Sequence, residues 1–137
     1  MTISLEKNLL HQLAYNPKHK GLTKLEKEKS IYVQVDNCDD QLYVYLKLNK
    51  GKVEKARFDG HGCSIFLGSI EALLHTIEKK TISEAKNIIN EYNDFINGKI
   101  YVIDGELNLF KIVRVHKSRI KCASSPINAL KEILENE

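Results

Sequence analysis

Apolar residues recur along the chain with two different periods, and the switches between them mark its elements. Over residues 3–14, Leu5, Leu9, Leu10 and Leu13 fall at helical spacing, with Thr2 or Ser4 available as the N-cap. The pattern stops at Tyr15-Asn16-Pro17, because the residue before a proline is driven out of the helical region. Lys18 to Ser30 is charged and reads as a loop with Gly21 as its turn point. Alternation then takes over: Ile31, Val33 and Val35, then Leu42, Val44, Leu46 and Leu48, then Val53, Ala56 and Phe58, with Lys50-Gly51 as a hairpin turn before the third stretch. Three alternating stretches this close in sequence predict an antiparallel meander with one face in need of cover.

Helical spacing returns after Gly60-His61-Gly62-Cys63. Phe66, Ile70, Leu73, Leu74 and Ile77 share one stripe over residues 64–78, with Ser64 as the expected N-cap. Thr81 and Glu84 form a capping box that opens a second helix, whose buried stripe is Ala85, Ile88, Ile89, Tyr92 and Ile96 and whose end is Asn97-Gly98. Residues 99–121 read as a loop with a short helical turn near Leu107–Val113. A last helix is expected after Cys122, with Pro126 in its first turn and Ile127, Leu130 and Leu134 facing inward. The predicted fold is α+β: a three-stranded antiparallel sheet covered by helices, as one domain over residues 1–137.

Composition sharpens this picture. A chain of 137 residues with 42% hydrophobic and 28% charged positions can bury a core without staples. No apolar run approaches the roughly 20 residues needed to span a bilayer. The start, Met1-Thr2-Ile3-Ser4-Leu5-Glu6, lacks the charged-then-apolar order of a signal peptide, so no membrane is expected and the expected address is the cytoplasm. The formal charge of +3 comes from interspersed cations and anions, with a mild basic excess over 111–121. Without a clustered basic face and interleaved aromatics, a nucleic-acid partner is not expected.

The cysteines change the picture most. Three is an odd number, and a reduced compartment would keep them as thiols, so each is a small buried hydrophobe, a ligand or a nucleophile. All three sit at element edges: Cys38 in the polar loop Asp36-Asn37-Cys38-Asp39-Asp40, Cys63 where a helix begins, and Cys122 just after Arg119 and Lys121. A helix N-terminus is expected to lower the thiol pKa of Cys63 and Cys122. Gly60 and Gly62 allow close approach of the backbone to a bound group. Cys38, Asp40, Cys63 and Cys122 make a four-coordinate set suited to zinc or to a growing iron–sulfur cluster. No Cys-x-x-Cys pair supports it, and His61, His75 and His116 are alternative ligands. His75 lies within a helix and reads as structural or exposed, while His61 beside Cys63 reads as a spare or outer-sphere ligand.

These residues resemble a known family. The chain is similar to the SufU branch of the IscU/NifU-type iron–sulfur assembly proteins through Tyr15-Asn16-Pro17 with Gly21, Asn37-Cys38-Asp39-Asp40, Gly51-Lys52-Val53, Phe58-Asp59-Gly60-His61-Gly62-Cys63-Ser64-Ile65 and Arg119-Ile120-Lys121-Cys122-Ala123. Lys121, where the IscU type has histidine, and the long interval from Cys63 to Cys122 select that branch. The resemblance implies that Cys38, Asp40, Cys63 and Cys122 hold zinc and that Cys38 accepts persulfide sulfur from a SufS-type cysteine desulfurase. It further implies exchange of one zinc ligand with a desulfurase histidine, Arg119 as a residue that orients or activates a thiolate, and downstream iron–sulfur assembly proteins as recipients. The family's usual Pro-Thr-Cys-Gly-Asp is here Asp36-Asn37-Cys38-Asp39-Asp40, so Asp39 adds a negative charge that disfavours a free thiolate at Cys38. Leu67-Gly68-Ser69 and Ser124-Ser125-Pro126 also depart from the family's pattern.

The expected function is zinc-dependent sulfur transfer with a desulfurase, so any enzymatic character is at most that of a sulfurtransferase. Two alternatives stand beside it: a scaffold for a transient iron–sulfur cluster on the same ligands, and a purely structural metal in a docking protein. Lys121 favours transfer over scaffold. No Gly-rich phosphate loop, Ser/His/Asp order or paired-carboxylate motif points to other chemistry.

Overall fold

Lys50 and Gly51 both take positive φ, 53° and 76°, the backbone a two-residue hairpin of primed type requires. They join two of the three strands in a computed structural model that describes residues 2–35 and 39–136. Strand β1 (Ile31–Gln34) pairs antiparallel with β2 (Gln41–Asn49), which pairs antiparallel with β3 (Lys52–His61), in the order β1-β2-β3. Helices α1 (Thr2–Tyr15), α2 (Lys24–Glu28), α3 (Ser64–Ile77), α4 (Ile82–Ile96) and α5 (Ile120–Glu135) complete the described secondary structure, with 3₁₀ segments at Gly105–Arg114 and Lys117–Arg119. The expected α+β meander is therefore present. Among the described residues no helix is long and apolar enough to cross a membrane.

The inward face of the sheet is Leu42, Val44 and Leu46 of β2 with Val53, Ala56 and Phe58 of β3, all buried. Val53 and Ala56 are three apart, so strict alternation would send one of them outward. A register shift opposite Lys47 and Leu48 absorbs the extra residue and turns both inward. Burying one such large side chain contributes about 1.5–3 kcal/mol, and the sheet and helices share a single cluster of them.

Helix α3 is the centre of that cluster. Its predicted stripe is fully buried, and Leu67, Gly68, Ser69, Glu71 and Ala72 are buried as well, because other elements cover its remaining faces. In α4, Phe95 joins the stripe and Ile88 is only partly buried. In α1 the register is offset from the expected one: Leu10, Leu13 and Ala14 pack inward, while Leu5 and Leu9 are exposed. Thr2 and Ser4 lie inside α1 rather than capping it.

Three further expectations are corrected. Lys18 to Ser30 contains a helix, because Thr23 and Glu26 form a capping box of the same kind as Thr81 and Glu84. The N-cap of α3 is Cys63, not Ser64. The last helix starts at Ile120, before Cys122, so Pro126 is beyond its first turn. That proline removes the N–H that would bond the Cys122 carbonyl four residues back. Ser125 Oγ donates 2.7 Å to the Lys121 carbonyl in the same turn.

The stretch 19–21 runs parallel to β3: Phe58 N donates to His19 O at 2.9 Å and Gly21 N to Phe58 O at 2.7 Å. Arg57 fastens it by donating to the carbonyls of Lys18, Lys20 and Gly21. The His19 ring sits between two carboxylates, with Nδ1 2.7 Å from Glu71 and Nε2 3.1 Å from Glu78. The Glu71 hydrogen bond raises the His19 pKa against the opposing effect of burial. Burial pushes Glu78 up, but the Ala56 amide and His19 outweigh it and leave Glu78 below its usual value.

The sign of the pH dependence follows. A raised folded pKa means that His19 contributes stability fully below its unfolded value near 6.5, and that this contribution fades as pH rises through the folded value. Chemical denaturation at a series of pH values from 6 to 9 is expected to show stability falling on the alkaline side. His19→Gln is expected to lose that slope and about 1–3 kcal/mol at pH 6, the cost of a hydrogen bond to a charged partner. An unchanged slope in the variant would remove His19 as its source.

Candidate metal centre

Asp40 is placed by the sheet. Its carbonyl accepts from Val35 N at 3.1 Å, closing the ends of the β1–β2 connection immediately before β2 begins. Its side chain is 2% exposed and turns toward the start of α3, where Oδ1 accepts from Cys63 N at 3.0 Å. The N-cap cysteine makes no side-chain cap, so Asp40 supplies a carboxylate to the positive end of the helix from outside it. Its other oxygen, Oδ2, accepts from Cys63 Sγ at 3.6 Å.

Cys122 approaches from the first turn of α5. One ligand atom each from Asp40, Cys63 and Cys122 lies within 4.8 Å of the others. Cys63 is half-buried and Cys122 buried, so the group has a shielded floor and one more accessible thiol. These are three of the four ligands expected; Cys38 lies outside the described residues. The helix-terminus argument does not hold at Cys122. Burial, then Cys63 and Asp40, push its thiol up to about 12, because a third negative group is crowded against two others away from water. A divalent cation reverses that penalty, and two sulfurs with one carboxylate suit zinc or iron by ligand type. The donor set thus fits a metal, which Asp40, Cys63 and Cys122 could hold among the described residues.

Arg119 stands at the exposed mouth. Cys122 first, and then Cys63, favour its charged form, so the guanidinium belongs to the electrostatics of the sulfur pair. A cleft of about 340 Å³ opens there, lined by Cys63, Ser64, Ile65, His116, Ser118 and Arg119. A larger hollow of about 720 Å³ shares His116 but touches none of the three candidate ligands. His61 is exposed at the end of β3 and is not part of the group. His75 pairs with Glu106 at 2.7 Å on another face of α3, in keeping with its structural reading.

The glycines serve the chain itself. A Cβ on Gly60 would run into the Gln41 carbonyl, and one on Gly62 would lie 2.5 Å from Asp40 Oδ1 and 2.8 Å from the Phe66 ring. Sequence reasoning missed the His19–Glu71–Glu78 cluster, although Glu71 within an otherwise apolar run, Ile70-Glu71-Ala72-Leu73-Leu74, was a signal for it.

Comparison with known proteins places the chain among relatives. The family model described as the NifU-like N terminal domain matches residues 6–97. The zinc-dependent sulfurtransferase SufU of Bacillus subtilis (strain 168) is 33% identical over 127 residues, covering 89% of this chain and 84% of that protein. The iron–sulfur cluster assembly scaffold protein IscU of Thermotoga maritima is 29% identical over 116 residues, covering 82% of this chain and 78% of that protein. A crystal structure from Fervidobacterium islandicum AW-1, of a proposed SUF-system scaffold called FiSufU, superposes with a TM-score of 0.82 at 24% identity, covering 92% of this chain and 93% of that one. On the extent of these matches, the chain belongs to the NifU-like N-terminal domain family, close to SufU and IscU.

Proposed function

We propose that the chain acts in iron–sulfur cluster assembly as a zinc-dependent sulfur-transfer partner of a SufS-type cysteine desulfurase, working as one unit over residues 1–137 in the cytoplasm. The observation that carries this reading is the convergence of Asp40, Cys63 and Cys122 within 4.8 Å beside an exposed arginine. Cys38 is the fourth ligand and the sulfur acceptor. Zinc held there would keep the cysteines ionised, and a ligand set that includes the Asp40 carboxylate would open more readily than four thiolates.

In the transfer, the Cys38 thiolate attacks the terminal sulfur of the desulfurase persulfide. The new S–S bond forms as the old one breaks, and the desulfurase cysteine leaves as a thiolate. Arg119 holds negative charge on sulfur at the mouth, and Asp40 keeps Cys63 in place through its N–H. The persulfide on Cys38 then passes to downstream assembly proteins. The name of the Bacillus relative supports transfer, and that of the Thermotoga relative supports the scaffold alternative.

A desulfurase assay with cysteine tests the reading. The wild-type chain is expected to stimulate turnover, and Cys38→Ala is expected to abolish the stimulation. Absence of stimulation by the wild type sinks the transfer reading. Purified protein carrying iron with a visible-region cluster spectrum, rather than about one zinc per chain, moves the assignment to a scaffold.

A further inference from the structure

Tyr92, on α4, is fully buried, and its hydroxyl lies 2.9 Å from Ser69 Oγ on α3, itself fully buried. Ser69 Oγ donates in turn to the carbonyl of Ala123, 3.2 Å away on α5 and next in sequence to Cys122. Serine has one proton, so the arrangement that satisfies every group runs one way: Tyr92 donates to Ser69, and Ser69 donates to Ala123. The chain of bonds crosses three helices and ends one residue from a candidate ligand.

We infer that Tyr92 and Ser69 are positioning residues for the metal centre, setting where Cys122 stands relative to Cys63. This rests on the reading of Asp40, Cys63 and Cys122 as ligands. Ser69 follows Cys63 on the same helix by six residues, about 9 Å of rigid rise, so a bond from Ser69 to α5 fixes the spacing of the two sulfur-bearing segments. The first turn of α5 needs such an outside tether. Pro126 deprives the Cys122 carbonyl of its usual backbone partner, leaving that turn less firmly held by its own helix. The buried stripe of α4 otherwise consists of Ala85, Ile89, Phe95 and Ile96, and a phenylalanine at 92 would keep the packing without a polar atom to satisfy. The hydroxyl therefore adds geometry more than burial.

The test uses purified full-length chain, stripped of metal and titrated with zinc in competition with a chromophoric chelator, and with cobalt(II) as a spectroscopic stand-in. Tyr92→Phe and Ser69→Ala are each expected to weaken zinc about tenfold, the lower end of what outer-sphere partners supply, and to alter the cobalt ligand-field bands. Ile89→Val, a core truncation on α4 outside the relay, is expected to lower thermal stability without changing either metal readout. Wild-type zinc affinity and cobalt bands in both relay variants would overturn the positioning role while leaving the metal reading intact. A wild-type chain that took up neither ion would overturn both.

Discussion

Cys122→Ser is expected to lower zinc affinity by roughly a hundred- to a thousandfold. Structural zinc sites in small domains bind with about 10–16 kcal/mol over four ligands, so losing one thiolate costs on the order of 3–4 kcal/mol, and each 1.4 kcal/mol is tenfold. Cys122 should show the full effect because it is the buried wall of the site, 5% exposed, where water is poorly placed to substitute for sulfur. The metal-free variant should be no less stable than metal-free wild type by more than about 1 kcal/mol, a typical modest core change. With its thiol pushed up to about 12, Cys122 is a neutral small group in the metal-free chain, so serine replaces it without removing a charge. Competition titration measures the first quantity and chemical denaturation the second. Unchanged zinc affinity would exclude Cys122 from the ligand set.

Gly62→Ala is the second large effect, and it acts without touching a ligand atom's identity. The added methyl would stand 2.5 Å from Asp40 Oδ1, 2.8 Å from Asp40 Cγ and 2.8 Å from Phe66 Cδ2. None of these is the far end of a long side chain: Asp40 is held by Cys63 N–H, and Phe66 is fully buried. Something must shift, at about 1–3 kcal/mol of overpacking. The carboxylate is the easier group to displace, so zinc affinity is expected to fall about 10–100-fold, the range for disturbed ligand orientation. Equilibrium denaturation of the metal-free protein and zinc competition check the two parts. Wild-type affinity in Gly62→Ala would mean that Asp40 does not need its present position to bind.

Much of this arrangement was legible in the residues because local signals and tertiary structure agree. Lys50-Gly51 encodes a turn that only positive φ can make, and the alternation at Leu42, Val44 and Leu46 survives unchanged as the inner face of β2. The capping box at Thr81 is legible because the period of a long helix follows it, whereas the identical chemistry at Thr23 opens a five-residue helix with too few positions to display a period. In α1 the leucines have helical spacing on two sides, and only packing decides that Leu10 and Leu13 turn inward while Leu5 and Leu9 do not. The start of α5 was misplaced because Pro126 normally marks a first turn, and the hydroxyl bonds that accommodate it are not visible from spacing. For the site, ligand-type residues at element edges were sufficient to nominate Asp40, Cys63 and Cys122. Their environment was not: Asp40 and Cys63, which stand beside buried Cys122, lie far away from it in sequence.

The hydrogen bond from Cys63 N to Asp40 spans 23 positions, and Cys63 and Cys122 are separated by a further 59. No fragment confined to one hairpin or one helix pair can therefore assemble the three groups. A chain with a correct sheet but an undocked α5 presents a carboxylate and one thiol, a much poorer claim on a metal. Ligands that bind only the finished arrangement stabilise it by mass action, and here that arrangement demands long-range closure, the slow part of folding. On the proposed reading, metal occupancy works as a certificate of completed topology: the sulfur chemistry waits until every layer is in place.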